Sequence, residues 1–147
     1  MKYRTNKRTK DKISEIGMGT AYIGEAERSE AVKTVRYAYE NGIKIGVGSD
    51  TCFEGSTPFG WYGVLELECM QECGMPADQV IRSATKINSE ILGLDEYLGT
   101  VKEGKIADLL IVSKDPTEDV RVFKDNEIIE YSYMGGELVV DHGRMLL

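Results

Sequence analysis

Histidine is almost absent from this chain: His142 is the single one among 147 residues. Standing alone near the far end, it reads as a solvated side chain, in keeping with the burial habits of that residue type. Long hydrophobic runs are missing too. No apolar stretch approaches the ~18 residues that cross a bilayer, so a soluble protein with no membrane partner is expected. Cysteine is scarce and odd in number, with Cys52, Cys69 and Cys73 and no secretory leader ahead of them, which points to a reducing cytoplasm. Cys69 and Cys73 fall one helical turn apart, their β-carbons about 5 to 6 Å apart where a disulfide wants ~3.8 Å, and they read as buried thiols. No phosphate-cradling glycine loop is present, Gly46-x-Gly48 inside a strand pattern being a weak match.

Acidic charge dominates, with 25 carboxylates against 18 lysines and arginines and a net charge of -7. The first dozen residues run the other way: Lys2, Arg4, Lys7, Arg8, Lys10 and Lys12 face only Asp11. A nucleic-acid or membrane contact is one reading of that run. No aromatic residue beyond Tyr3 is interleaved for base stacking, so the expectation is a solvated hairpin paired with the chain's own acidic body, and no nucleic-acid partner. A content of 41% hydrophobic residues supports one ordinary core. A complete eight-stranded (βα) barrel, at ~250 residues, is excluded by length.

Polar, weakly alternating residues 2–14 predict a short hairpin ahead of a Gly-rich strand at 15–20. Ser29 is placed to cap a helix whose Val32, Val35, Ala38 and Tyr39 share a face, with Gly42 as a left-handed stop. Ile43, Ile45 and Val47 then alternate with small or polar residues and end at Asp50, which predicts a strand with a carboxylate at its C-terminal end. Strand, helix, strand in that order is a right-handed parallel crossover. Past Pro58, the residues Phe59, Trp61 and Tyr62 lead into a helix with Trp61, Leu65, Cys69 and Cys73 at helical spacing, a stripe read as core rather than pocket lining, stopped by Gly74. Pro76 opens the first turn of another helix, with Val80, Ala84, Ile87 and Ile91 on one face as far as Gly93. After Leu98 the period becomes that of strands: 100–101, 106–112, 120–123, 128–134 and 138–141. Gly104, Asp115-Pro116, Asp125-Asn126 and Gly135-Gly136 separate them, the last a two-residue hairpin turn.

Two of these stretches, K-I-G-V-G-S-D at 44–50 and G-K-I-A-D-L at 104–109, together resemble the last barrel strand and closing segment of a metal-dependent amidohydrolase. The resemblance runs on through Leu65-Glu66-Leu67, Cys73-Gly74-Met75, Ala84-Thr85, Leu92-Gly93-Leu94, Leu98-Gly99-Thr100-Val101 and Met134-Gly135-Gly136. It covers about residues 32–143 and is similar to the imidazolonepropionase and Xaa-Pro dipeptidase type. It implies that Asp50 ends the eighth barrel strand, where the family's aspartate binds a metal or takes the proton of a metal-bound water. A hydrolytic zinc takes about three protein ligands. The family draws them from a His-x-His pair, histidines of middle strands and often a carboxylated lysine, none of which has a counterpart in this sequence. Asp50 is therefore the one candidate catalytic residue, and a vestigial one; a loop carboxylate capping a helix or turn is its other reading. No metal ligand and no cofactor-binding residue is assigned, and no cofactor is expected, zinc being that of the resembled family.

The first thirty residues resemble instead the start of an aldo-keto reductase. Asp50-Thr51 falls where that family's second strand ends, but Cys52-Phe53-Glu54-Gly55 lacks its tyrosine and its later strands have no match, so NADPH binding is not expected. The fold class predicted is α/β: a partial (βα) barrel over 1–98 with its N-terminal hairpin and an added helix, and a small antiparallel β region of amidohydrolase type over 99–147. Such a fragment leaves strand edges unpaired, which predicts a homodimer or higher homo-oligomer. The functional expectation is an amidohydrolase-related protein, of carbon–nitrogen hydrolase ancestry, without a complete metal site or hydrolytic activity. A non-catalytic fusion fragment or binding module, and a reductase remnant, are the alternatives.

Overall fold

The computed structural model describes residues 3–5, 12–14, 27–49 and 60–146. At the N-terminus β1 (Tyr3–Thr5) and β2 (Lys12–Ser14) pair antiparallel, with Tyr3 opposite Ser14. This is the expected hairpin; the strand expected at 15–20 lies outside the described residues.

Helix α1 (Arg28–Glu40) begins one residue before Ser29, so Ser29 is inside the first turn and is not the cap. The carbonyl of Glu27 takes the amides of Glu30 and Ala31, and no side chain caps this end. The stop at Gly42 is as expected, with φ +69° and the Ile43 amide returning to the Ala38 carbonyl. Ala38 is buried, and Val35 and Tyr39 pack on the core.

Residues 43–49 are not a strand among the described residues, contrary to the alternation of Ile43, Ile45 and Val47. A strand is defined by its neighbours, and here helix side chains hold the backbone instead. No parallel strand pair occurs among the described residues, so the crossover unit is not seen. Ile45 and Val47 still pack against the core.

Helix α2 (Trp61–Glu72) follows Gly60 and stops at Gly74, whose φ is +97°. Its inward face is Leu67 and Met70, not the stripe of Trp61, Leu65, Cys69 and Cys73. Trp61 and Cys69 are exposed and Leu65 and Cys73 half-buried, so the thiols are not buried as expected. At about 100° per residue, Leu67 and Met70 lie roughly 150° round the helix from the centre of that stripe, close to its opposite face.

Residues 77–92 are helical throughout, but a π segment (Ser83–Ile87) separates α3 (Ala77–Arg82) from α4 (Asn88–Leu92). Pro76 sits just ahead of the first turn, its carbonyl receiving the Gln79 and Val80 amides. Val80 is fully buried, yet Ile91 is 46% exposed and Ser89 is buried in its place. A π turn takes an extra residue and rotates the helix beyond it, which moves the apolar face off its expected track. The run ends at Gly93 (φ +69°).

The C-terminal part is a four-stranded antiparallel sheet in the order β3 (Leu109–Val112), β4 (Ile129–Met134), β5 (Glu137–Asp141), β6 (Arg144–Met145). Gly135 and Gly136, at φ +58° and +88°, form the expected two-residue turn between β4 and β5. Strand pairing is absent at 100–101 and 106–108, and the sequence signal missed β6. The largest departure is at 120–123, which is a 3₁₀ helix (Val120–Lys124). Asp119 accepts the Arg121 amide at 2.9 Å, a local cap that competes with β pairing. Val120 is fully buried and its amide donates to Gln71 Oε1 on α2 at 2.9 Å. The Val-x-Val alternation therefore marks burial against helices. Met70, Met75, Ala77, Val80 and Val120 make up the core cluster.

Candidate functional site

Asp50, the predicted strand-end carboxylate, lies outside the described residues. The segment that leads to it is held by side chains from two helices. Asn88, at the start of α4, accepts the Val47 amide on Oδ1 at 2.9 Å and donates Nδ2 to the Val47 carbonyl at 2.8 Å. Glu66 of α2 accepts the Gly48 amide at 3.1 Å. Lys44 pairs with Glu90 at 2.9 Å. The half-buried backbone thus finds partners that a strand neighbour would otherwise supply.

Residues 104–109 lie at the junction of helices and sheet. Lys105 Nζ donates to the carbonyls of Asp95 at 2.5 Å and Leu98 at 3.0 Å, tying the turn that follows α4. The Ile106 amide reaches the Tyr97 carbonyl, and the Ala107 carbonyl receives the Gly136 amide. Asp108 Oδ1 accepts the Gly135 amide at 2.7 Å, so its carboxylate pins the hairpin turn. Each polar group of the stretch with a partner here serves the fold. Beside it Asp95 Oδ1 is buried and has no hydrogen-bond partner among the described residues.

Among the described residues no group of three or more His, Cys, Asp or Glu side chains comes together in a way that could hold a metal ion. His142 is exposed, its Nδ1 2.7 Å from Asp141 Oδ1 and its ring edge-on to Tyr131 at 4.8 Å. Cys69 and Cys73 are free thiols. Partial burial first, then Glu72 and Glu68, raises the Cys69 pKa; for Cys73 burial and then Cys69 do so. Both are held away from the thiolate form that attacks or ligates. An open cleft of about 340 Å³ is lined by Tyr39, Ile43, Ile45, Gln79, Arg82 and Ile87 among others, with no carboxylate, histidine or thiol among the described residues of its wall. It opens beside the start of the segment at 43–45, away from the end that leads to Asp50.

Reasoning from sequence missed Asn88 and Glu66. The signal for Asn88 was a poor helix former set between Ile87 and Ile91 in mid-helix, where neither capping nor a turn accounts for it. Glu66 stands in the Leu65-Glu66-Leu67 stretch of the resemblance, but nothing there sets its carboxylate apart from the other acids of α2.

A model of the amidohydrolase family matches residues 5–139, including the stretch that resembles a reductase; the reductase part of the reading gains no support. Ochratoxinase of Aspergillus niger is 29% identical over 109 residues, 73% of this chain and 22% of that protein. A solved Xaa-Pro dipeptidase with bound methionine matches at a TM-score of 0.63 and 34% identity over 75% of this chain and 25% of its own. The solved putative prolidase from Bifidobacterium longum matches at 0.65 and 29% over 88% and 33%. The chain spans about a fifth to a third of the length of these relatives.

Proposed function

The chain belongs to the amidohydrolase family, and on that premise we propose that it supplies the closing part of a partial (βα) barrel together with the family's small β region, and does not by itself hydrolyse a carbon–nitrogen bond. The donor set carries the reading. A hydrolytic zinc takes about three protein ligands, and the described residues bring together no such group, while the sequence holds one histidine. The donors present do not fit the family's metal. Asp50 is then a vestigial strand-end carboxylate with no activated water to serve. The likeness to a dipeptidase and a prolidase favours a dipeptide or a related amide as the ancestral substrate class.

Metal content and turnover of the purified chain test this. Elemental analysis after zinc loading is expected to give well below one metal per chain, with no cleavage of Xaa-Pro dipeptides. About one tightly held zinc per chain, the stoichiometry of a hydrolytic site, lost on Asp50→Ala, overturns the reading. Saturable NADPH binding would favour the reductase alternative.

Self-association accompanies this reading. The outer edge of β3 has no partner strand among the described residues, and Leu110 and Ile111 on it are 56% and 44% exposed. Apolar edges of that kind pair with another chain, and a second copy forming a homodimer is the occupant proposed. Light scattering at micromolar concentration is expected to report at least a dimer; a stable monomer refutes it.

A further inference from the structure

We infer that Asn88 is a positioning residue, its carboxamide standing in for a neighbouring strand at Val47 and so fixing the approach of the chain to Asp50. The inference rests on the reading of 44–50 as a barrel-strand end. A backbone neighbour would offer one donor and one acceptor to a residue of this segment; Asn88 offers both to Val47, at 2.8 and 2.9 Å, with a longer Nδ2 contact of 3.5 Å back to the Ala84 carbonyl of its own helix. Three features of the fold converge on that contact. Gly46 leaves the room for it, since a β-carbon there would collide with Asn88 Oδ1 and come within 2.9 Å of Ile91 Cδ1. The π segment ends at Ile87, directly ahead of Asn88, and so sets the rotation that aims the side chain. Glu66 takes the next amide, that of Gly48, from another helix, so two successive residues are held from two elements.

Amide hydrogen exchange on the 147-residue chain tests it. In Asn88→Ala the Val47 amide is expected to exchange roughly tenfold faster, the loss of about one net hydrogen bond, while the buried Val80 amide is unchanged. Asn88→Asp adds a readout that simple packing would not move. A neutral carboxyl offers one donor and one acceptor as the carboxamide does, whereas the carboxylate only accepts and faces the Val47 carbonyl. Protection at Val47 in that variant is therefore expected to rise between about pH 7 and about pH 3, through the ordinary carboxylate range. The charged Glu66, Glu90 and Lys44 beside this segment are common to both proteins, which makes the wild-type chain the control at each pH. Unchanged exchange in Asn88→Ala, or no pH difference from wild type in Asn88→Asp, overturns the inference. Should Asn88→Ala unfold the chain, seen as equal loss at Val80, the Asn88→Asp comparison decides. Zinc content tests the barrel-end reading and exchange tests this one, so the two fail separately.

Discussion

The two stretches that carry the family resemblance, 44–50 and 104–109, are held in opposite ways. The first borrows its partners: Asn88 and Glu66 reach in from helices 41 and 18 residues away in sequence. The second supplies its own, Lys105 and Asp108 reaching out to tie a turn and a hairpin. A borrowed arrangement is lost with a side chain from another element, whereas a self-supplied one is lost with the stretch's own Lys105 or Asp108. Motif strength in sequence therefore says little about which stretch is the sturdier.

The sharpest way to break the contrast is Ile45→Lys. Ile45 packs against the shared core, and a lysine there forfeits that burial and brings in a charge, about 2 to 3 kcal/mol. Chemical denaturation is expected to show that loss, and light scattering a loss of assembly with it. Lys105→Met comes next. It keeps the stem but leaves the Asp95 and Leu98 carbonyls without their ammonium donor, about 1 to 2 kcal/mol, with exchange at Ile106 speeding up and that at Val47 unaltered. Asp108→Ala removes the acceptor of the Gly135 amide and is expected to cost about 1 kcal/mol, confined to the β4–β5 turn.

The smallest effect is electrostatic. Asp119 is held down to about 2 by its hydrogen bonds with the Arg121 side chain and amide. A carboxylate whose folded pKa is depressed adds stability above its unfolded value and loses it as pH falls toward the folded one. That contribution is therefore present above about pH 4 and fades toward pH 2. NMR titration is expected to show the Asp119 carboxyl rising toward 3.8, its ordinary value, in Arg121→Ala.

Much of the fold was legible wherever a single local cause decides. Gly42, Gly74, Gly93 and Gly135-Gly136 each mark a positive-φ stop or turn that the structure contains. What misled was periodicity whose partner is remote. Val120 and Val122 alternate as a strand would, but Val120 is buried against helices and Asp119 caps the turn. Ile43, Ile45 and Val47 carry a strand pattern without strand neighbours among the described residues. Trp61 and Cys69 shared a face by spacing, and the contacts of α2 chose Leu67 and Met70. Of the candidate site, the missing histidines were plain in the sequence, while the role of Asn88 depends on a long-range contact that no local pattern encodes.

The π segment at Ser83–Ile87 also bears on how this chain tolerates changes of length. Five residues separate hydrogen-bonded partners there where four do in an α-helix, roughly one residue more per turn, so residues 77–92 hold one residue more than a regular helix needs. Deleting a single residue from that turn would restore an unbroken α-helix in which four residues at about 100° each sweep roughly the angle that five sweep now, so everything after it would keep its orientation. Ser89 would keep its buried position and the carboxamide of Asn88 its aim at Val47. The chain is thus expected to tolerate a one-residue deletion in this turn and to lose the Asn88 contact on a deletion between Ala77 and Arg82, where the helix holds no spare residue.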